Sequence, residues 1–474
     1  MGNKRKEFVV KRNRCKKIAA ALLCMVMGCT TLGQGFSAAA ADATTSEEEV
    51  EINFAKALQM SLYFYDANKC GSGITGGNLE WRGDCHTEDA AVPLKPMGED
   101  YKGTNLSQEF IDAHRDILDP DGDGTIDVAG GMHDAGDHVK FCLPGSYAAS
   151  TLGWGYYEFR DAYVDSGQQW HIEDILHWFN DYYLKCTYFD ENGDILAFCY
   201  QVGEGDIDHN YWNAPELQNE SLLDFARPAY FATVETPASD MCAGVAASLA
   251  VNYLNFKDTE PEYAERCLNT AVKMYEFAVK THSEAEDGKT VTSLGYDGGF
   301  YTSSYDYDEL AWAAVWLYEC TGEYDYINDI IAVDENTSGD MGAHPYTGYL
   351  KRIIADTGNC WQNIWVHCWD TVWGGVFAKL APITNTARDW YIFRWNLEYW
   401  SGLTHADPGG PDDVLWNLPY DPKTTPFVAD TTDTTFLAKT PAGFSMLNNY
   451  GSCRYDAAAQ LCALVYEKET GDDK

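Results

Sequence analysis

The chain has 474 residues, of which 45% are hydrophobic and 14% aromatic, and its formal net charge is −40. That length suits one large domain or two ordinary ones, with enough apolar mass for a substantial core. Phosphate recognition needs clustered Lys and Arg, so a chain this acidic excludes nucleic acid and anionic membrane surfaces as partners. A neutral polymer remains compatible, and the 31 Tyr and 15 Trp supply flat apolar faces of the kind that stack on sugar rings.

At the N-terminus, Lys4, Arg5, Lys6, Lys11, Arg12, Arg14, Lys16 and Lys17 precede an apolar stretch, Ile18 to Met27, and a small-residue run, Ala38 to Ala41. This is the order of a secretory signal, with cleavage near Ala41. Lipoprotein processing at Cys29 is the alternative. The apolar stretch is too short to span a bilayer comfortably, and no later segment reads as transmembrane. Residues 1–41 are thus read as a signal peptide, 42–51 as an acidic lead-in, and 52–474 as one folded domain of a secreted monomer. Twelve cysteines remain after residue 41. An even number in an exported chain permits disulfides, and Cys70–Cys85 is the nearest local pair. No CxxC is present, which argues against a thiolate zinc site.

The body reads as helices joined by long loops. In 259–281, Thr259 and Glu262 form a capping-box pattern with Pro261 in the first turn. Ala264, Leu268, Ala271, Tyr275 and Ala278 then recur on one helical face. Further helices are predicted near 53–66, 146–164, 170–186, 240–256, 308–321, 342–356, 386–400 and 455–468. Strand-like alternation is sparse. Successive helices with long loops predict an all-α toroid of helical hairpins rather than a βαβ sheet, and long loops in a compact domain are usually functional.

Within those loops, Gly130 to Phe141 reads GGMHDAGDHVKF. It places Asp134 and Asp137 three residues apart on a glycine-containing turn, flanked by His133 and His138. Two close carboxylates push one pKa up and can grip a shared water. A helix-capping turn would account for a bare DxxD. The longer stretch, however, resembles the signature of glycoside hydrolase family 9, the inverting cellulases. Five other blocks resemble the family's in the same order: Trp81-Arg82-Gly83-Asp84, Val202 to Trp212, Arg227-Pro228-Ala229-Tyr230, Tyr307 to Ala314, and Gly451-Ser452-Cys453-Arg454-Tyr455.

The resemblance implies an (α/α)6 barrel and endo-hydrolysis of β-1,4-glucosidic bonds in cellulose or related β-glucans with inversion. Such a reaction needs a base for water and an acid for the leaving oxygen, roughly 6.5–9.5 Å apart. It makes Asp137 the base and Asp134 a second holder of the water. His209, Trp212, Trp365, Tyr450, Arg454 and Tyr455 fall on substrate-binding positions. Ser304, Asp308, Glu309 and Asp370 fall on those of a structural calcium, which takes hard oxygen ligands. A second calcium candidate comes from spacing: Asp119, Asp121, Asp123 and Asp127 occupy positions 1, 3, 5 and 9 of an EF-hand-like loop, with Gly124 at 6 and Gly130 rather than Glu at 12. No organic cofactor is implied.

The chain departs from the family pattern at His133 and Tyr450, where the family has Trp, and at Thr371, where many members have Asp. The family's general-acid Glu and the closing helix of its barrel fall beyond Lys474, and Glu467 and Glu469 read as a solvated helix end. Three readings follow: an endoglucanase whose sequence continues past Lys474, a catalytically impaired glucan-binding protein, or a hydrolase of another β-glycan such as xyloglucan or a chito-oligosaccharide.

Overall fold

A computed structural model describes residues 53–218, 226–282, 300–301, 303, 305–333, 347–352, 367–407, 419–424, 428–447 and 450–474. The predicted signal and lead-in lie outside these residues, as does most of the helix predicted for 342–356. The long helices are α1 (Phe54–Asn68), α2 (Cys142–Asp165), α3 (Gln169–Lys185), α4 (Ser239–Phe256), α5 (Pro261–Thr281), α6 (Tyr307–Thr321), α7 (Asp325–Ile331), α8 (Trp373–Thr384), α9 (Ala387–Ser401) and α10 (Ser452–Thr470). Even-numbered helices follow one another around an inner ring: α2 packs on α4, α4 on α6, α6 on α8 and α8 on α10. Odd-numbered helices lie outside them, α3 against α2, α5 against α4, α7 against α6 and α9 against α8. This is the (α/α)6 barrel architecture.

Sequence decides which ring a helix joins. Every residue of α4 except Tyr253 is buried, as its small and apolar composition requires of a helix with neighbours on all sides. In α5, by contrast, Tyr263, Ala264, Cys267, Ala271, Met274, Tyr275 and Ala278 are buried on one stripe, while charged residues cover the other. The predicted capping box is not formed there. Glu260 occupies the N-cap without a side-chain bond, and the Thr259 hydroxyl donates to the Phe256 carbonyl at the end of α4. The tight α4–α5 turn leaves Thr259 serving the helix before it.

The inner helices are tied together at the end away from the Gly130–Phe141 turn. Helix α2 is kinked at Phe159, which has non-helical φ/ψ. Lys468 of α10 donates both to the Glu158 carbonyl and to its carboxylate. Lys379 of α8 bonds the same carboxylate at 3.1 Å.

A small antiparallel sheet matters more for function than its size suggests. Strands β1 (Lys140–Phe141), β2 (Thr187–Phe189) and β4 (Ala229–Ala232) each pair with the central strand β3 (Ile195–Val202). Lys140 pairs with Val202 and Phe141 with Gln201. The segment after Asp137 is thereby hydrogen-bonded to the segment that leads into Gly203–Trp212.

Candidate active site

The register just described fixes Asp137 beside His209. Asp137 is 2% exposed, and its Oδ2 lies 3.0 Å from His209 Nδ1. His209 follows a single helical turn, Gly205–Asp208, capped by the Glu204 side chain. Three residues on, Trp212 donates its indole N–H to the His209 carbonyl and meets the His209 ring edge-on at 4.8 Å. Its ring lies against the Asp134–Asp137 turn: a Cβ at Gly136 would stand 2.6 Å from Trp212 Cζ3. Only glycine lets the turn and the indole approach so closely. Trp212 is 61% exposed, so a large aromatic surface faces solvent next to the two acids.

Asp134 is held differently. Its Oδ2 accepts a 2.6 Å hydrogen bond from the Tyr301 hydroxyl, and Tyr301 meets Trp369 edge-on at 4.9 Å. Burial pushes the Asp134 carboxyl up to about 7, with the nearby Asp137 adding to the rise and the Tyr301 hydrogen bond opposing it. Among the described residues, the two acids thus rest on side chains, Tyr301 and His209, rather than on the backbone N–H groups a capping turn would use. Lys140 does not neutralise them, because its ammonium pairs with Asp89 at 2.9 Å and bonds the Val128 carbonyl. Tyr301 was missed in the sequence because 167 positions separate it from Asp134.

Asp134, Tyr301, Trp369 and Arg454 line one cavity of about 370 Å³, walled largely by aromatic side chains. Arg454 lies over the Trp369 ring at 5.1 Å, and Tyr455 donates to Asp370 Oδ2 at 3.0 Å. Tyr450 is fully at the surface, 86% exposed. Trp365 and Ser304 lie outside the described residues. Among the described lining residues Asp134 is the one carboxylic acid. Glu467 and Glu469 stand at the far end of α10 from Arg454, ~20 Å along the axis at about 1.5 Å per residue.

Of the predicted calcium ligands, Asp308 and Glu309 open α6 and are both buried. They sit among further buried acids, Asp240 and Asp306, whose charges are felt by one another. Burial pushes Asp308 and Asp240 up to about 6 and Glu309 well above its ordinary range. Glu309 Oε2 is buried without a hydrogen-bond partner. Among the described residues, His282 is the basic side chain that pairs with this group, through Asp306. A buried set of carboxylates with so little counter-charge fits a hard divalent cation. Asp370 is bound instead to Tyr455, with Arg454 at 3.7 Å.

In the EF-hand-like loop, donor oxygens of Asp119, Asp121 and Asp123 lie within 4.8 Å of one another. Asp119 Oδ1 is buried without a partner. Asp127 does not join them. Its carboxylate accepts from Lys185 at the end of α3 and from the Ala129 N–H, so the predicted position-9 ligand is drawn away by an ion pair that spacing cannot reveal.

The cysteines correct the sequence reading further. All eleven described cysteines are free thiols, Cys70 and Cys85 included. Those two converge with His86 and His133 in a buried group whose donor atoms lie within 4.8 Å of one another. His86 Nδ1 stands 3.1 Å from His133 Nε2 and 3.9 Å from Cys70 Sγ, and Cys85 Sγ is 4.0 Å from His133 Nε2. Tetrahedral zinc at about 2.3 Å from sulfur and 2.0–2.1 Å from nitrogen separates N from N by about 3.3 Å and S from N by about 3.6 Å. The four donors fit that shape, and burial holds the His133 imidazole well below its ordinary range and so unprotonated. Backbone pairing assembles them: Cys70 donates to Gly131, His133 donates to Asn68, and Gly71 bridges Cys85. His133, read as a departure from an aromatic position, is a donor of this cluster.

A ring of helical hairpins with a buried carboxylate pair, one acid tuned toward neutrality, beside exposed indole surface defines the class: an (α/α)6 barrel with a candidate acid–base site at one end. The sequence profile of Glycosyl hydrolase family 9 matches residues 54–474, and the chain belongs to that family. It is 28% identical over 435 residues to Endoglucanase A of Bacillus pumilus, covering 91% of this chain and 52% of that protein. It is 28% identical over 417 residues to Endoglucanase B of Cellulomonas fimi, covering 87% and 31%. The chain therefore spans about half or less of the length of these curated relatives. Among solved structures, the catalytic domain of Clostridium thermocellum CelT superposes with a TM-score of 0.67 at 38% identity, covering 89% of this chain and 76% of that one. The cellulase Cel9M of C. cellulolyticum superposes at 0.62 and 30% identity, covering 89% and 75%.

Proposed function

We propose that this chain carries the water-activating half of an inverting endo-β-1,4-glucanase acting on cellulose or a related β-glucan. The observation that carries the reading is the turn itself. Asp137 is set by His209, Asp134 is set by Tyr301, and Trp212 stands against Gly136 with its face open to solvent. A β-glucan laid on Trp212 would present an anomeric carbon to water held by the two carboxylates, and Asp137 would take the proton as that water attacks. A solved cellulase in the family, Cel9M, was crystallised with cellobiose, which supports the substrate class. The acid that protonates the leaving oxygen is not among the described lining of the cavity.

Three metal readings accompany it. Asp308 and Glu309, with Asp240 and Asp306 beside them, would hold calcium at the start of α6. Asp119, Asp121 and Asp123 would hold a second calcium just upstream of the catalytic turn. Cys70, Cys85, His86 and His133 would hold a structural zinc that fixes the residue before Asp134. Each would supply cohesion rather than chemistry. Export through residues 1–41, extracellular action and a monomeric state complete the reading. No helix among the described residues is long and apolar enough to cross a membrane.

Reducing-sugar release from carboxymethylcellulose, with the coding sequence continued past Lys474 where it continues, tests the activity. Asp137→Asn should abolish turnover while leaving substrate binding, and comparable activity in that variant would refute the base assignment.

A further inference from the structure

Gln218 is fully buried and stands between the Cys70–Cys85–His86–His133 cluster and the catalytic turn. Its side-chain oxygen lies 2.5 Å from His86 Nε2 and 2.8 Å from His138 Nδ1. Its side-chain nitrogen donates to Asp208 Oδ2 at 3.2 Å. Asp208 is committed as an acceptor: Arg227 donates to Oδ2 at 2.7 Å, and the His138 backbone N–H donates to Oδ1 at 2.8 Å. That fixes which way the amide points, with nitrogen toward Asp208 and oxygen toward both imidazoles. An amide oxygen only accepts, so both facing ring nitrogens carry hydrogen. His86 is therefore an Nε2–H tautomer whose lone pair is on Nδ1, and Nδ1 is the atom that faces His133 and Cys70.

We propose that Gln218 is a positioning residue for the metal. It fixes His86 in the one tautomer that can ligate from within the cluster, and the same oxygen ties that ligand to His138, the residue after Asp137. The proposal rests on the zinc reading of the cluster. Partners of this kind orient imidazole ligands, and their loss lowers metal affinity by about 10- to 100-fold.

The test uses the full chain and Zn²⁺ alone, competed against a chromophoric chelator. The wild type should take up one zinc at this site. Gln218→Leu should bind it about 10- to 100-fold more weakly. Gln218→Glu, which keeps acceptor oxygens at that place, should lie closer to wild type than the Leu variant does. The ¹⁵N-histidine spectrum of the zinc-loaded wild type reads the tautomer without any substitution and should show His86 metallated at Nδ1 and protonated at Nε2. Wild-type protein that binds no zinc at these residues overturns the zinc reading and this proposal with it. Stoichiometric zinc in the wild type, with Gln218→Leu within twofold of it or His86 metallated at Nε2, overturns the role of Gln218 and leaves the zinc site standing.

Discussion

Asp134 and Asp137 sit three residues apart yet rest on different partners, Tyr301 and His209. Asp134 is raised to about 7 chiefly by burial, and the Tyr301 hydroxyl is what restrains the rise. A hydrogen bond to a charged group is worth about 1.5 kcal/mol, or about one pH unit. Tyr301→Phe should therefore move the acid limb of the kcat/KM profile upward by about one unit, and an unmoved limb would show that Asp134 need not ionise. Stability should respond to the same carboxyl. Its folded value lies above its ordinary one, so the unfolded chain ionises first as pH rises from about 4 to 7. Stability is lost over that window and levels off above it. Asp134→Asn removes the loss, so its melting temperature relative to wild type should climb from pH 4 to pH 7 in calorimetry. A pH-independent difference would contradict the buried, perturbed acid. Asp137 was legible from its motif. Tyr301 was not, because a lone Tyr far along the chain carries no local signal that it reaches Asp134.

At the level of elements, two pieces of backbone pairing assemble the site. The β1–β3 register brings the Asp137 turn to His209 and Trp212, and the bridges among 68–71, 85 and 131–133 bring four soft donors together. Gly136→Ala tests the first: its methyl group would overlap Trp212, so the indole must move. A rise in KM with quenched response of Trp fluorescence to cello-oligosaccharides is expected, and wild-type binding would show that Trp212 is not a sugar platform. Helical periodicity placed α1, α2, α3, α4, α5, α6, α9 and α10 within a few residues, because each buries a stripe or a whole surface. Helix α8 escaped notice. Gly374, Gly375 and Pro382 lower its intrinsic propensity, and it is kept by burial of Trp373, Val376, Phe377 and Leu380 and by the room Gly375 leaves for His367. The Cys70–Cys85–His86–His133 cluster escaped for another reason. A search for CxxC looks along the chain, whereas Cys70, Cys85 and His133 meet across it; the adjacent Cys85-His86 was the one local hint.

Across the whole molecule, the Asp134–Asp137 pair lies at one end of the inner helices and a buried ion-pair cluster ties them at the other. Glu158, with Lys379 and Lys468, ties α2 to α8 and α10 away from the Asp134–Asp137 turn. Removing one partner of a buried pair strands the other charge and costs about 3–5 kcal/mol. Lys468 remains to share Glu158, so Lys379→Met should cost about 3 kcal/mol in denaturant unfolding while leaving KM unchanged; loss of substrate affinity would mean that the two ends are not separate. The role proposed for Asp137 is to activate water against a β-linked glucan. β-Cellobiosyl fluoride isolates that step, because fluoride departs without a proton donor and the general acid is not needed. The most direct measurement is proton NMR of the first cellobiose that the chain releases from this substrate. α-Cellobiose should form first with wild type and not with Asp137→Asn; β-cellobiose first, or equal release by the variant, would rule out Asp137 as the base of an inverting reaction.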